Sequence, residues 1–474
     1  MRITRRLREA ELGSDEVSFD KDHAPRRRLL ARAVTGLALV ASLAALAAAT
    51  ASCSSNGDEP GGGEETPTPP NTTSDAAPEA AADAGGPDAS IVDAAPLPIT
   101  CEAPPCATQL TTVYANDGES EGYCALLTDG TVACWGTNKS GQLGDPDNAD
   151  GDSPVPVRVP GLTGITSIAH TCALNDAGEV WCWGSGPYAQ SDTSAITTEL
   201  APVKLALPGP AKKVDFGFHV GCALLRDESL VCWGNNVSLQ ISGAADSFGA
   251  VLPPTTVIEM AAGAKEIAVS SATFAIFDDG RLVSWGESPT VGRQTSLSRD
   301  SWPTAVRLDH VTMIDTAGRE ACAVANGMGW CWGAADQKSS FQTVDPLSRA
   351  MPSALDTPEP ITRVATTGSV SRYDHGIYTL EKRRWCATSV TGEVYCWGFN
   401  NAGQVGDGTK EYASRTVRVG GLPAPAAEVK VLPYSSCSLL TTGKVYCWGS
   451  NRNGQIGAGR PKGSILTPTE VILP

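Results

Sequence analysis

The chain has 474 residues, with 52 acidic and 36 basic side chains and a formal net charge of −16. This acidic balance disfavours contact with the phosphate backbone of nucleic acids, so no nucleic-acid partner is expected. The 15 cysteines indicate an oxidising compartment unless they bind metal, and their odd number leaves one cysteine unpaired.

Residues 1–53 have the pattern of a signal sequence with a polar extension. Three arginines at 26–28 precede an uncharged run over residues 33–52 that is rich in Ala, Leu and Val. The end of this run, at Cys53, is similar to a bacterial lipobox, although Thr50 stands where that pattern usually has Leu. The resemblance implies that Cys53 is lipidated and anchors the protein to a bacterial envelope membrane, at the outer membrane or cell surface. Ordinary signal cleavage and an uncleaved anchor are the alternatives.

Residues 54–100 are predicted to form a disordered linker. They contain nine acidic residues and no basic residue, and they consist mainly of Gly, Pro, Ala, Ser and Thr. Such a segment has too few large apolar side chains to offset the entropy lost on ordering. We expect it to hold the rest of the chain away from a membrane surface.

Residues 101–474 contain a motif that recurs about every 50 residues, which indicates a repeat architecture. Copies of Cys-Trp-Gly begin at Cys134, Cys182, Cys232, Cys331, Cys396 and Cys447, and a degenerate copy begins at Ser284. One unit contains four β-prone stretches, which begin at Pro156, Ile165, Thr171 and Glu179. Four-stranded units must pack on one another, so the sequence predicts an all-β, seven-bladed propeller.

The last β-prone stretch of the chain suggests how this ring closes. The stretch from Thr467 resembles the first strand of a unit, and the first unit, near Thr111, has no such strand before it. We therefore expect the C-terminal strand to complete the first unit. The tryptophan of each motif is expected to pack between neighbouring blades, because repeated aromatic residues are usually core residues.

Each Cys-Trp-Gly cysteine has an upstream cysteine that it can reach across a β-hairpin. The spacing is ten residues in five units, which fits a three-residue turn that ends in Gly, and nine in the fifth, where Asn326-Gly327 forms a two-residue turn. Both spacings place the cysteines opposite each other, with Cα atoms ~4.5 Å apart, within disulfide range. The predicted pairs are Cys124–Cys134, Cys172–Cys182, Cys222–Cys232, Cys322–Cys331, Cys386–Cys396 and Cys437–Cys447.

The remaining cysteines follow from this pairing. Cys101 and Cys106 are predicted to form a local disulfide, and a metal site is the alternative, although two thiolates alone are an incomplete ligand set. Cys53 is then left over, as lipidation requires. Phe274 and Ser284 replace both cysteines of the fourth unit, so we expect packing alone to hold that hairpin.

The loop after Trp-Gly reads Asn-x-x-Gly-Gln-x-Gly at residues 138–144, 400–406 and 451–457. This pattern resembles the regulator of chromosome condensation repeat, a family of seven-bladed propellers, over about residues 107–474; it is looser at residues 235–240. The family's histidine, two residues before the cysteine position, appears only as His170 and is interpreted as structural. The family includes nucleotide-exchange factors for small GTPases, chromatin binders and secreted bacterial proteins that inhibit enzymes.

A longer repeat between Trp332 and Trp397 offers a candidate partner-binding loop. Its insertion, over residues 368–384, is basic and aromatic within an acidic protein, and such side chains often anchor interfaces. The candidate residues are Arg372, Tyr373, His375, Tyr378, Lys382, Arg383 and Arg384. A tolerated insertion without function is the alternative.

Other candidate sites are weaker. The acidic stretch 145–152 resembles a calcium loop, but Pro146 stands where the first carboxylate belongs, which favours a solvated loop. No nucleotide, zinc-protease or serine-hydrolase motif occurs in the sequence, so no catalytic residue, metal or cofactor is predicted. We expect a monomeric, non-catalytic scaffold for a protein or peptide partner. An extracytoplasmic hydrolase or lyase is the alternative, and a guanine-nucleotide exchange factor comes third.

Overall fold

The computed structural model describes residues 95–474, except for residues 102, 115–119, 149–150, 189–193, 195, 218, 258–261, 334–348, 369, 375–376 and 382. The predicted signal segment, Cys53 and nearly all of the predicted linker lie outside the described residues. In the described part of the chain, no helix is both long enough and apolar enough to cross a membrane.

The described residues form seven antiparallel sheets of four strands, as predicted. Blades 1 and 2 contain β1 (Ala107–Tyr114), β2 (Glu121–Leu127), β3 (Val132–Gly136), β4 (Ser153–Arg158), β5 (Ile165–Ala169), β6 (Cys172–Asn175), β7 (Val180–Gly186) and β8 (Thr197–Lys204). Blades 3 and 4 contain β9 (Ala211–Phe216), β10 (Val220–Leu225), β11 (Leu230–Asn235), β12 (Val251–Thr256), β13 (Glu266–Val269), β14 (Ala272–Ile276), β15 (Leu282–Glu287) and β16 (Arg299–Ala305).

The remaining three blades follow in the same order. Blade 5 contains β17 (Val311–Ala317), β18 (Glu320–Ala325), β19 (Met328–Gly333) and β20 (Arg349–Ala354). Blade 6 contains β21 (Ile361–Thr366), β24 (Arg384–Ser389), β25 (Val394–Gly398) and β26 (Ala413–Arg418), with the hairpin β22 (Val370–Asp374) and β23 (Ile377–Glu381) inserted after β21. Blade 7 contains β27 (Ala426–Val431), β28 (Ser435–Leu440), β29 (Val445–Ser450) and β30 (Ser464–Glu470). Short 3₁₀ turns occupy Pro146–Asn148, Asn236–Ser238 and Ala245–Ser247.

The first strands of the blades contact one another in a closed ring around a central channel. Each of them, from β1 to β27, touches its two neighbours, and β27 returns to β1. The ring places one sheet edge of every blade at the channel and the fourth strand at the outside.

The prediction about ring closure is wrong by one strand. The stretch at Pro156, predicted to share a unit with Ile165, pairs instead with β3 as the last strand of blade 1. In the same way β30 pairs with β29 and completes blade 7, not the first unit. Every blade is therefore built from its own stretch of chain, because a repeat pattern fixes the period but not the strand at which a sheet begins.

Blades 1 and 7 are joined by side chains and by the segment before β1. The Tyr123 hydroxyl lies 3.0 Å from Ser435 Oγ across this seam. The main-chain N–H of Thr100 donates to Thr441 O of blade 7 at 2.6 Å, and Thr128 N of blade 1 donates to Cys106 O at 3.0 Å. Residues 95–106, which we call the strap, therefore hold the first and last blades together.

The predicted hairpin register is confirmed. In the six hairpin pairs the cysteines face each other with Cα atoms 4.0–4.1 Å apart and their sulfur atoms at bonding distance. Asn326 and Gly327 form the two-residue turn with φ of 53° and 72°, closed by Ala325 and Met328. The Cys101 and Cys106 sulfurs also lie at bonding distance, with Cα atoms 5.9 Å apart.

Packing alone does not hold the fourth hairpin, contrary to the prediction. Ser284 faces Phe274, and its hydroxyl donates to Val291 O at 2.6 Å. The buried guanidinium of Arg293 donates to Ser284 O at 3.1 Å and forms a 2.8 Å ion pair with Asp300. A polar network thus stands where the other blades have a disulfide.

The motif tryptophans pack between blades, as predicted. The Trp448 indole N–H donates to Gln404 O of the preceding blade at 2.9 Å, and Trp135 makes the same bond to Gln455 O at 3.0 Å. In the Asn-x-x-Gly-Gln-x-Gly loop of blade 6, the side chain of Asn400 accepts from Val405 N at 2.8 Å. The last glycine of this loop, Gly406, has φ of 83° and lies so close to Trp448 that a Cβ would be 2.6 Å from Nε1. The loop motif therefore positions a main-chain carbonyl oxygen that accepts the hydrogen bond of the indole N–H in the next blade.

Candidate functional site

The two ends of the channel differ in what they carry. We call the end where the inner strands finish the upper face, and the opposite end the lower face. The upper face carries the connections from the first to the second strand of each blade and the Asn-x-x-Gly-Gln-x-Gly loops. The lower face carries the Cys-hairpin turns and the strap, whose Leu97 side chain lies beside the Gly392 turn.

The upper face opens into a cavity of about 570 Å³ at the centre of the ring. Its wall includes the ends of the inner strands at residues 168–170, 215–217, 268–271, 314–318, 365–368 and 430–433. A second cavity of about 430 Å³ lies at the lower end and shares Leu110, Ile168, Asp215, Ile267 and Lys430 with the first. These five shared residues, together with His170, Ile314 and Asp315 of the upper cavity wall, form what we call the waist of the channel.

The waist combines aliphatic and charged side chains. Burial raises the pKa of Asp215 to about 7 and also raises the pKa of Asp315, while the Lys430 ammonium lowers both again. His170 Nε2 lies 3.8 Å from Asp215 Oδ1, and burial lowers the pKa of this histidine, which favours its neutral form. No ion pair within 4.0 Å joins Lys430 to either of these two described carboxylates.

Side chains of the inner strands also link neighbouring blades. Each accepts a hydrogen bond from a main-chain N–H of the next inner strand, which fixes the spacing of the strands around the channel. These bonds run from Ile168 N to Gln109 Oε1 (3.0 Å), Val269 N to Asp215 Oδ2 (2.7 Å), Thr366 N to Asp315 Oδ2 (2.9 Å) and Leu110 N to Glu428 Oε1 (2.9 Å). Each aspartate therefore uses at least one carboxylate oxygen to fix the inner strands.

Glu121 contributes a further buried carboxylate to the cavity wall. It accepts from Tyr434 N and from Ser435 Oγ, both at 2.6 Å, and so crosses the seam between blades 1 and 7. Burial raises its pKa to about 7, against the opposing effect of these hydrogen bonds.

The predicted partner-binding loop lies on the upper face, beside the cavity. Its backbone forms the hairpin β22–β23, in which Tyr373 pairs with Tyr378, and Arg372 also lies on β22. The connection that carries this hairpin leaves β21 at Thr366, which lines the cavity. His375 and Lys382 lie outside the described residues.

Two residues of the predicted loop are not on its surface. Arg383 and Arg384 are 2% and 0% exposed. Arg383 pairs with the buried Glu320 of blade 5, and Arg384 Nη1 donates to Ser436 Oγ of blade 7 at 2.9 Å. These arginines anchor the base of the insertion between blades, so their assignment to the partner-contacting set is corrected.

The acidic stretch at 145–152 has a structural role in its described part. Asp152 accepts from Asn138 N at 3.0 Å and from Asn453 Nδ2 of blade 7 at 2.8 Å. Over the described residues, no group of three or more His, Cys, Asp or Glu side chains could hold a metal ion.

The sequence reasoning missed the channel groups. Asp215 and Asp315 each occupy a β-prone stretch, Val214-Asp-Phe216 and Ile314-Asp-Thr316, where an acidic residue breaks an otherwise favourable pattern for a strand. That local mismatch is the signal that could have marked them.

Comparison with known proteins supports the fold. Two models of the regulator of chromosome condensation (RCC1) repeat match residues 129–174 and 391–427, and residues 168–190 and 433–455. The chain is 26% identical over 355 residues to the ultraviolet-B receptor UVR8 of Arabidopsis thaliana. This alignment covers 71% of this chain and 76% of the receptor. This relative is eukaryotic, and the bacterial lipoprotein type remains a prediction.

Solved structures share the same architecture. Human WBSCR16 superposes with a TM-score of 0.59 at 18% identity, covering 73% of this chain and 95% of that one. Yeast RCC1 (Prp20), in its complex with Kap60, gives a TM-score of 0.56 at 18% identity over 72% of this chain and 83% of that one. The chain thus carries RCC1 repeats and folds as a seven-bladed β-propeller.

Proposed function

We propose that this chain is a non-catalytic, protein-binding propeller that a lipid on Cys53 holds outside the cytoplasm, with its upper face presented to a protein or peptide partner. The observation that carries the proposal is the placement of two features on opposite faces. The strap enters the ring on the lower face, whereas the larger cavity and the hairpin β22–β23 belong to the upper face.

The strap supports the choice of face. It is fixed to the turns of blades 7 and 1 by the bonds from Thr100 N to Thr441 O and from Thr128 N to Cys106 O. The chain therefore enters the propeller at the lower face, and the strap does not cover the mouth of the cavity on the upper face.

The disulfides support the proposed compartment. Eleven of the twelve hairpin cysteines are fully buried, and in each hairpin the two sulfurs are at bonding distance. Disulfides of this number persist in oxidising environments and are rare in the cytosol. The signal pattern that ends at Cys53 agrees with this compartment.

Protein binding is what structures of this architecture suggest. One structure shows yeast RCC1 (Prp20) bound to Kap60, and another describes the binding properties of Prp20p from Saccharomyces cerevisiae to Gsp1p and histones. Fold alone does not transfer a partner, so the partner of this chain has to be found experimentally.

A cross-linking experiment tests the binding face. Intact cells that produce the protein are treated with a cross-linker, the partner is identified, and its Kd is measured for the purified proteins. A variant with residues 370–381 replaced by a short Gly linker keeps the anchoring Arg383 and Arg384. We expect it to bind at least tenfold more weakly, because hot-spot contacts are worth about 1–2 kcal/mol or more.

A matched variant controls for unspecific damage. Asp176→Ala with Asp279→Ala alters two exposed turns of the lower face and should leave the Kd unchanged. An unchanged Kd for the hairpin variant, or a loss of binding caused by the lower-face variant, would contradict the proposed binding face.

The anchor is tested by Cys53→Ala, which should move the protein from the membrane fraction to the soluble extracytoplasmic fraction. A cytoplasmic location of both the unchanged protein and this variant would refute the tether.

A further inference from the structure

We infer that the waist of the channel is a binding site for a cationic side chain, the ammonium of Lys or the guanidinium of Arg, supplied by the protein partner through the upper mouth. This inference rests on the proposed binding function and deepens it. It starts from the cavity of about 570 Å³ that leads from the upper face to the waist.

The apolar and charged side chains of the cavity lie in adjacent layers. Leu110, Ile168, Ile267 and Ile314 line the cavity one residue further from the upper mouth than the layer of Asp215 and Asp315. A basic side chain that enters from the upper mouth would therefore place its charged end beside the carboxylates, with the aliphatic layer beneath it as an apolar floor. A purely apolar ligand would leave these carboxylates buried without a counter-charge.

The charges at the waist are unbalanced in the same direction. The Asp215 and Asp315 carboxyl groups line the cavity with one lysine, Lys430, and burial lowers the pKa of His170 beside Asp215. Glu266 of β13, which also acts on Asp215, pairs with Lys213 at 3.0 Å, and Glu121 adds a further carboxyl group to the cavity wall. An added cation would supply a counter-charge that lets these carboxyl groups ionise.

The hydrogen-bonding capacity of the aspartates agrees with the charge. Oδ2 of Asp215 accepts from Val269 N and Oδ2 of Asp315 accepts from Thr366 N, so the backbone fixes both carboxylates in place. Oδ1 of Asp215 lies 3.8 Å from His170 Nε2. Carboxylates that are held before a ligand arrives lose little entropy on binding it.

Binding should release protons near neutral pH. Burial disfavours the charged form of Asp215 and raises its pKa to about 7. A cation beside the carboxylate favours ionisation and lowers the pKa. The proton is then released to solvent when the ligand binds.

Ligand-observed NMR with capped amino acids tests the inference. The probes are N-acetyl lysine methylamide, N-acetyl arginine methylamide and, as a matched neutral stem, N-acetyl norleucine methylamide. Each is titrated to about 10 mM, because contacts of a single residue are weak and their Kd is on the order of millimolar. We expect saturable binding of at least one basic probe and not of norleucine. Asp215→Asn and Asp315→Asn should each weaken it by about tenfold or more, since hydrogen bonds to charged groups are the strong ones. Asp278→Asn, in a turn away from the channel, is the control and should have no effect.

The outcomes separate this inference from the proposed function. Binding of the norleucine probe alone, no binding of either basic probe, or equal binding to Asp215→Asn would overturn the waist site. If the partner still binds those variants with an unchanged Kd, the binding function stands and only the waist site is lost. Spermidine bound more tightly than either capped residue would assign the channel to free polyamines and overturn the partner side chain as its occupant. Calorimetry of the basic probe in two buffers of different ionisation enthalpy should show proton release at pH 7, and none with Asp215→Asn.

Discussion

The buried pair Glu320–Arg383 should hold blades 5 and 6 together beneath the inserted hairpin. Its side chains are only 3% and 2% exposed. Removing one partner leaves a buried charge uncompensated, which typically costs about 3–5 kcal/mol. We therefore expect Glu320→Leu and Arg383→Met each to lower the free energy of unfolding by this amount.

The double variant makes the test specific. When Glu320→Leu and Arg383→Met are combined, no buried charge is left alone, and the loss should be smaller than that of either single change. The assay is urea unfolding followed by tryptophan fluorescence, with the disulfides intact. Single losses under about 1 kcal/mol, or a double loss equal to their sum, would refute the reasoning.

An exposed ion pair provides the matched control for this cycle. Arg418 and Glu393 form an ion pair with side chains 64% and 35% exposed. Because solvent screens such a pair, Glu393→Leu should change the free energy of unfolding by no more than about 1 kcal/mol. A large effect there would show that the assay reports general damage to blade 6.

Three further predictions concern the loop motif, the channel and the strap. Gly406→Ala should lower the free energy of unfolding in urea by about 2 kcal/mol or more, because φ is 83° and the new Cβ would lie 2.6 Å from Trp448 Nε1. Gly420→Ala, which has open space around the new Cβ, is the control and should change it by no more than about 0.5 kcal/mol. Burial raises the pKa of Asp215 to about 7, so the stability that its protonation contributes is complete below its unfolded pKa of 3.8 and is lost as the pH rises through about 7. Asp215→Asn should reduce the change in the free energy of unfolding between these two pH values, and an unchanged pH profile would contradict this. Mild reductant should open Cys101–Cys106 first, since Cys101 is exposed and the hairpin sulfurs are nearly all buried; earlier alkylation of Cys124 or Cys134 would contradict the order.

The hairpins could be predicted almost completely from the sequence. The cysteine spacing of ten or nine residues, with turns that end in Gly or consist of Asn326-Gly327, fixed the register at which Cys322 faces Cys331. These are local relations within about a dozen residues. They need no knowledge of how the blades pack.

Relations between blades were harder to predict. The sequence shows a period but not its phase, so the stretch at Pro156 was placed one blade too late. Arg383 and Arg384 end a basic, aromatic insertion and look like surface residues in the sequence, yet their partners, Glu320 and Ser436, lie in other blades. The Arg293 network that replaces the fourth disulfide also escaped, because Ser284 alone does not show what occupies the space of the missing sulfur.

The channel is the least predictable part of the candidate site. Asp215, Asp315 and Lys430 come from blades 3, 5 and 7, and only closure of the ring brings them into one cavity. By contrast, the hairpin β22–β23 was evident as an excess of sequence in one repeat. Its place beside that cavity depends on the direction of β21 within the ring.

Intact mass measurement of the protein from its native cells, purified without reductant and treated with an alkylating agent, tests the central claim most directly. The account predicts a mature chain that begins at Cys53, carries acyl chains there and has fourteen cysteines that resist alkylation until they are reduced. A chain that begins at Met1, with cysteines that are alkylated without reduction once it is unfolded, would contradict the account of a lipid-anchored propeller outside the cytoplasm.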